Sequence, residues 1–234
     1  MRKTLIVPFV LLAWAAAANV VAEPVDLLVY KVWERGIDPY INRIMVTEDH
    51  IRLDEGDDAG AYTLYDRDQE IIYNVSHEDR SVLVINPTAF LPESADSLIL
   101  GEQVQTDADA PTVAGQVPRR VRLLANGEVC SELVAVEGVM QEAVDALSEL
   151  KLTLARAQVA SLAVTPLELQ TPCELASSVY AADRVYRFGL PLQERGAGRS
   201  QSLRDFVSGF EVADDLFRIP EDYSRQTMFS SEAI

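Results

Sequence analysis

The stretch Tyr62–Ile85, YTLYDRDQEIIYNVSHEDRSVLVI, decides the fold class, because it contains three short apolar runs separated by two strongly polar turns. The runs cover residues 62–65, 71–75 and 81–85, and the intervals between them are too short for a helical crossover. They therefore predict an antiparallel meander. Apolar residues follow one another directly in two of the runs, so we expect parts of both faces of this sheet to be covered.

The strand pattern continues on both sides of the meander. Candidate strands lie at 42–54 (two strands), 97–100, 184–192, 202–212 and 216–219. The segment from Val121 to Cys130 places Asn126-Gly127 between two extended runs, and this dipeptide tolerates the positive φ angles of a type I′ turn. The pattern predicts a hairpin there, with Cys130 at the end of a strand.

The periodicity changes after Glu137. Apolar residues recur at steps of three and four, with polar residues such as Lys151 off the stripe: Ala143, Leu147, Leu150, Leu154 and Ala157. This spacing predicts an amphipathic helix to about Val164. A shorter helix is predicted at 171–174, where Thr caps, Pro occupies the first turn and Glu completes a capping box. The order of elements predicts an α+β fold, a curved antiparallel sheet around a central helical segment.

The first 22 residues have the three parts of a secretory signal. Arg2 and Lys3 precede an apolar run over 5–18, and small residues precede Glu23. The apolar run is shorter than the roughly 20 residues that span a bilayer. We therefore expect residues 1–22 to be a cleaved signal, residues 23–234 to form a single domain, and the product to be periplasmic without stable membrane insertion.

The chain is strongly acidic, with a formal net charge of −17 that becomes −19 when Arg2 and Lys3 are removed. This charge argues against nucleic acid and anionic lipid headgroups as electrostatic partners, since both would be repelled. The one concentration of positive charge is Arg119-Arg120 with Arg122. It is explained equally by a solvated strand face and by a site for an anion.

Two cysteines, Cys130 and Cys173, lie 43 positions apart without a CxxC spacing or a nearby histidine. An oxidising compartment would pair them, and closing a loop of that length stabilises a fold by about 4 kcal/mol on the chain-entropy model. A buried pair of free thiols and a redox couple are the alternatives. We expect a structural disulfide.

The sequence contains no constellation that names a reaction, so we expect no catalytic residue, no metal, no cofactor and no enzyme activity. The acidic segment 54–58 lacks the EF-hand pattern and is interpreted as a solvated hairpin turn instead of a calcium loop. The two histidines, His50 and His77, have acidic neighbours and are interpreted as surface residues of turns.

Residues 50–85, HIRLDEGDDAGAYTLYDRDQEIIYNVSHEDRSVLVI, and the ending LFRIPEDY at 216–223 carry a resemblance. With the leading signal and the helices in the middle, the chain resembles a group of uncharacterised periplasmic proteins of Gram-negative bacteria, related in architecture to the LolA and LolB lipoprotein carriers. The resemblance implies a half-open β-barrel that holds helices over a hydrophobic cavity. A disulfide in the helical segment would restrict lid movement, so the carriers' opening cycle is not transferred.

The resemblance implies non-catalytic binding of a lipid, an acyl chain or a lipoprotein in a groove between sheet and helices; an envelope protein is the other expected partner. Candidate residues for the groove are apolar positions of the helix and of the meander: Leu147, Leu150, Leu154, Tyr62, Leu64, Tyr73, Val82 and Val84. The alternative is an interaction or sensor module of the envelope, with a filled core and no ligand cavity. The sequence predicts neither the ligand nor the oligomeric state.

Overall fold

The computed structural model describes residues 22–87, 89–92, 98–106, 109–162, 164–166 and 170–228. The predicted signal lies outside these residues, apart from Ala22 at the start of the first strand. Within the described residues the strands are β1 (Ala22–Glu34), β2 (Ile37–Val46), β3 (His50–Asp54), β4 (Tyr62–Asp66), β5 (Ile71–Ser76), β6 (Ser81–Ile85), β7 (Leu100–Thr106), β8 (Arg119–Ala125), β9 (Glu128–Val136), β10 (Leu190–Gly196), β11 (Arg199–Ala213) and β12 (Ser224–Met228).

These strands form one open sheet in the order β12-β6-β5-β4-β3-β2-β1-β11-β10-β9-β8-β7. Neighbours are antiparallel, except that β12 runs parallel to β6. The long pairing of β1 with β11 joins the first half of the sheet to the second. The predicted α+β class with an antiparallel sheet is confirmed, and the described strands do not close into a barrel.

The meander forms as its sequence predicts. Strands β4, β5 and β6 pair in succession, and each turn places one residue in the left-handed region, Glu70 at φ 55° and Arg80 at φ 48°. The second hairpin also forms, with Asn126 at φ 51° and Gly127 at φ 83°. Cys130, however, lies near the start of β9 and not at a strand end, because β9 continues to Val136 between β8 and β10.

The main helix, α1 (Gln141–Leu162), agrees closely with its predicted extent. The second helix, α2 (Pro172–Leu175), begins at the predicted cap, where the Thr171 hydroxyl accepts from the Glu174 N–H. A π turn (Ala176–Tyr180) and a 3-10 turn (Arg184–Phe188) follow. None of the described helices combines the length and apolar character that a membrane span requires.

Two predicted strand boundaries are wrong at the second set of strands. Residues 184–188 form the 3-10 turn, and β10 begins only at Leu190. Between them Gly189 has φ 90°, and a Cβ there would lie 2.1 Å from the Val136 carbonyl oxygen, so the chain passes β9 too closely for any other residue. Residues 214–217 likewise form a 3-10 turn, and the last strand is β12.

The two faces of the first half of the sheet carry separate cores. On the face toward α1, which we call the helix face, strand residues pack with helix residues such as Leu147 and Leu150: Leu28, Tyr30, Val32, Ile44, Val46, Ile51, Tyr65, Ile72 and Ile85. On the opposite face, alternate strand residues pack with Phe217: Val25, Leu27, Met45, Tyr62, Leu64, Val75 and Val82. The cover on that face is the C-terminal segment, residues 214–223.

Candidate functional site

The eight predicted groove residues do not line one groove. Leu147 and Leu150 of α1 lie in the helix-face core, while the five meander residues lie in or against the opposite-face core. Successive side chains of a strand alternate between faces, and a strand that is apolar on both sides does not reveal which set meets the helix. Leu154 belongs to neither core and is 39% exposed, whereas Ala157, further along the same stripe, packs against the helix-face core.

The acidic turn after β3 takes part in a buried ion network and is not simply solvated. The Asp54 carboxylate is inaccessible to solvent and accepts hydrogen bonds from Arg43 Nε at 2.7 Å and Arg52 Nε at 2.8 Å. Burial alone would raise the Asp54 pKa, but these hydrogen bonds and one from the Gly56 N–H lower it below its ordinary value. The network accounts for both carboxylate oxygens of Asp54.

Arg52 also connects this network to the C-terminal segment. Its guanidinium lies 3.9 Å from the centroid of the Tyr62 ring and donates to the Leu216 carbonyl oxygen at 2.5 Å. These contacts fix the backbone of the segment above the sheet. The opposite-face core is therefore closed by cation-π and hydrogen-bond contacts as well as by apolar packing.

Both histidines lie against the same segment and are not free surface residues of turns. His77 Nδ1 and the Tyr223 hydroxyl are 2.7 Å apart, and the His50 ring lies 6.1 Å from the Phe217 ring. Each is half-buried there. Among the described residues, no three His, Cys, Asp or Glu side chains come together to hold a metal ion.

The disulfide joins Cys130 of β9 to Cys173 of α2, with a Cα–Cα distance of 5.1 Å. The predicted pairing is therefore present. It attaches the start of the second helical segment to the helix face of the second half of the sheet, where Leu123, Leu133 and Phe188 form a third core cluster.

A cavity of about 240 Å³ opens beside the disulfide, between α1, the α2 segment and strands β8–β10. We call it the helix–sheet pocket. Its apolar wall consists of Leu123, Ala176, Ala181, Ala182 and Val185. Its polar wall includes Ser131, Lys151 and Glu194. An apolar wall with a few convergent polar groups is typical of a site for a small organic ligand.

Lys151 is the most informative residue of this pocket. It projects from α1, and neither a hydrogen bond nor an ion pair joins its ammonium group to a described residue. Desolvation by the surrounding protein lowers the Lys151 pKa; Glu194 opposes this shift and Arg199 adds to it. Glu194 itself accepts a hydrogen bond from Gln201 Nε2 at 2.9 Å.

A neutral hydroxyl group belongs to the same pocket wall as this ammonium group. The Ser131 hydroxyl is buried without a hydrogen-bond partner among the described residues. Tyr186 packs against the helix-face core, outside the pocket lining, and burial, followed by the charge of Glu194, raises its pKa. A cation with a hydroxyl donor and an adjacent apolar wall can bind an anionic group that carries a hydrocarbon chain.

The sequence prediction passed over Lys151, since it lies off the main apolar stripe of α1. A second pattern locates it: Val144, Lys151 and Ala155 are separated by seven and four residues and share one side of the helix. Val144 and Ala155 are both buried. A lysine between two buried positions on a second side of the helix is therefore the sequence pattern that indicates this pocket.

Comparisons with known proteins leave the function open. No family model matches the chain, and no curated protein matches it. Two solved structures of PNGF-II, in space groups C2 and P21, are similar at 9% and 7% sequence identity, with TM-scores of 0.40 and 0.42. Each alignment covers 88% of this chain but only 31% and 32% of PNGF-II, so this chain spans about a third of that protein's length. So distant a likeness carries no functional argument, and the resemblance to LolA and LolB stays a prediction.

Proposed function

We propose that this protein is a non-catalytic periplasmic binding protein that holds an amphipathic ligand, an acyl chain with an anionic head, in the helix–sheet pocket. The observation that carries this proposal is Lys151, a half-buried lysine that lines a cavity with an apolar wall and whose ammonium group forms no ion pair with a described residue. A carboxylate or phosphate in the cavity would pair with that charge, and the chain would lie along Leu123 and Val185.

The size of the pocket supports a small ligand. Its volume of about 240 Å³ lies just under the roughly 300–1,000 Å³ of pockets for drug-sized molecules. A short acyl chain, or the first part of a longer one, fits such a space. The unpaired ammonium group supplies specificity, because a buried charge is unfavourable until a ligand of opposite sign satisfies it.

The fold and the compartment are consistent with this role. A sheet curved around α1 as a half-open barrel, like that of the LolA and LolB carriers, would place the pocket between sheet and helices. The Cys130–Cys173 disulfide supports export to the periplasm, since disulfides persist in oxidising compartments. It also holds α2 on β9, so the ligand would enter without a large lid movement.

Native mass spectrometry provides the first test. The chain is purified from the periplasm without detergent, measured, and measured again after organic extraction. We expect adducts of lipid mass that disappear on extraction, and we expect the extracted protein to bind decanoate in calorimetric titration. A bare polypeptide that takes up no decanoate would contradict the proposal and favour the envelope interaction module with a filled core.

Two lysine variants make the test specific. Lys151→Met is expected to weaken decanoate binding at least tenfold, whereas Lys31→Met, which removes the same charge from the other face of the sheet, is expected to bind as the wild type does. Lys151→Met is also expected to stabilise the ligand-free protein by about 1 kcal/mol, because it removes an unpaired polar group.

The pH dependence of this stabilisation has a defined sign. A lowered Lys151 pKa means that the unfolded chain binds the proton more tightly, so wild-type stability rises as pH increases toward the ordinary value of 10.5. In denaturant titrations, the amount by which Lys151→Met exceeds the wild type in free energy of unfolding should therefore decrease as pH rises toward 10.5. Equal loss of decanoate binding in both lysine variants would overturn the assignment of the site to Lys151.

A further inference from the structure

On the face opposite the helices, the second half of the sheet has a region that none of the described residues covers. The C-terminal segment covers only the first half of that face, and an open groove of about 620 Å³ lies beside it, across β8, β9, β10, β11 and the end of β1. We call it the basic groove. It lies on the other side of the sheet from the helix–sheet pocket, and Glu194 lines both.

Four cations line this groove in a chain whose net charge is strongly negative: Arg120, Arg122, Arg195 and Arg204. Strand alternation separates Arg120 and Arg122 from Arg119, which turns to the helix face and pairs with Glu137. Like charges on neighbouring strands repel one another, so this concentration is unfavourable in the absence of an anion.

Few carboxylates compensate these cations. Glu132 pairs with Arg122 at 2.8 Å, and Glu194, the other carboxylate in the lining, accepts from Gln201 Nε2 at 2.9 Å. Arg120, Arg195 and Arg204 form no ion pair with any described residue. The groove therefore presents free guanidinium groups, which bind carboxylates through two parallel hydrogen bonds.

Trp33 fixes one end of the groove. The Lys31 ammonium lies 5.5 Å from the centroid of its ring and the Arg204 guanidinium 5.7 Å from it. Cation-π contacts of this kind hold both charges in place before a ligand arrives. They also occupy the indole face, so Trp33 offers no free platform on which a nucleic-acid base could stack.

The cations are spread along an extended track. The order β11-β10-β9-β8 separates Arg204 from Arg120 by three strand spacings, which is about 14 Å at roughly 4.8 Å per spacing. One phosphate or sulfate ion cannot contact both ends. The distribution of charge fits a chain molecule that carries an anion at each of several repeating units.

The remaining lining combines the apolar residues Val121, Leu133 and Val134 with polar ones such as Gln103, Gln193, Ser200 and Ser202. These amides and hydroxyls match a ligand rich in hydroxyl groups. An acidic peptide fits less well, because a sheet face offers no backbone edge for strand addition. We propose that the basic groove binds a carboxylated oligosaccharide, with arginines on its carboxylates and Gln and Ser side chains on its hydroxyls.

Calorimetric titration of the full exported chain with tetragalacturonate tests this proposal, with neutral tetragalactose as the matched ligand. We expect binding of the acidic sugar alone, weakened by salt and reduced at least tenfold in Arg120→Gln and in Arg195→Gln. Arg225→Gln, an exposed arginine on β12, makes the same charge change away from the groove and should bind as the wild type does.

Other outcomes would overturn the proposal. Equal binding of the neutral sugar would show that charge does not select the ligand, and tighter binding of tetraglutamate would assign the groove to acidic peptides. If inorganic phosphate displaces tetragalacturonate at equal concentration, the basic groove is a site for single ions and not for an oligosaccharide. Lys151→Met should leave tetragalacturonate binding unchanged, so failure in one site does not imply failure in the other.

Discussion

At the scale of single residues, the Arg43–Asp54–Arg52 network links the meander to the chain's last segment. Asp54 lies between two guanidinium groups without solvent contact, and Arg52 reaches the Leu216 carbonyl 164 positions later in the chain. The sequence predicts a polar turn here, because DEGDD is typical of one. It does not reveal that one of those carboxylates is buried, since both arginines come from strands whose register decides the contact.

Asp54→Asn should destabilise the protein by about 3–5 kcal/mol, because it leaves two arginines without their buried counter-charge. The Asp54 pKa is lowered in the folded state, so its stabilising effect is complete above the ordinary value of 3.8 and is lost as pH falls through the folded value. Urea titrations from pH 7 to pH 2 should show the difference between variant and wild type shrinking below pH 4.

Asp68→Asn provides the control for this prediction. Asp68 is exposed in the turn between β4 and β5, and its substitution should change stability by less than about 0.5 kcal/mol at any of these pH values. If the difference in free energy of unfolding between Asp54→Asn and the wild type stays constant down to pH 2, the ionised Asp54 carboxylate does not have the role assigned to it.

At the scale of elements, the disulfide decides where the second helical segment lies. Helix α2 has four residues and no buried side chain of its own, so it cannot hold its position by apolar packing. Cys173 ties it to β9, and the π and 3-10 turns that follow complete the wall of the helix–sheet pocket. The sequence predicts the start of α2 through Thr171 and Pro172, but it does not predict the length of this helix.

The paired substitution of Cys130 and Cys173 by serine should cost about 4 kcal/mol on the chain-entropy model. Hydrogen exchange should locate the effect, with protection lost over 170–188 and retained in α1, whose Leu147 and Leu150 stay in the helix-face core. Decanoate binding should weaken with it. Uniform loss of protection along the whole chain would mean that the disulfide supports global stability and not the local position of the α2 segment.

At the scale of the whole molecule, the sheet is a layer between two covers. Helix α1 covers one face of the first half, and the C-terminal segment covers the other, where Phe217 is buried in the core of the opposite face. Apolar residues on both faces of the meander predict two covers. The sequence points to α1 as one of them, but the segment 214–223 is too short and too polar to be recognised as the second.

A chain that ends at Ala213 should lose this second cover and expose apolar side chains of β2, β4 and β6. We expect it to bind a hydrophobic dye and to elute as aggregates in size-exclusion chromatography. The single change Phe217→Ala should destabilise the intact chain by about 3–5 kcal/mol. Phe210→Ala, at an exposed position of β11, should have little effect, and equal effects of the two would contradict this assignment.

The sequence by itself determined the meander, the Asn-Gly hairpin, the extent of α1 and the cap of α2. Each of these depends on periodicity or turn chemistry within about 25 residues, and such local preferences act before distant parts of the chain meet. The pairing of Cys130 with Cys173 also followed from the sequence, because the chain has no other cysteine.

Only the tertiary structure decided which meander residues face the helix, since strands that are apolar on both sides look alike from either face. It also decided that Lys151 lines a pocket and that four arginines from three strands share one groove. Both sites depend on strand register and on the order in which β11 returns beside β1. These sites join residues that are distant in the sequence, such as Lys151 and Glu194, 43 positions apart, and Arg120 and Arg204, 84 positions apart, and no local pattern encodes them.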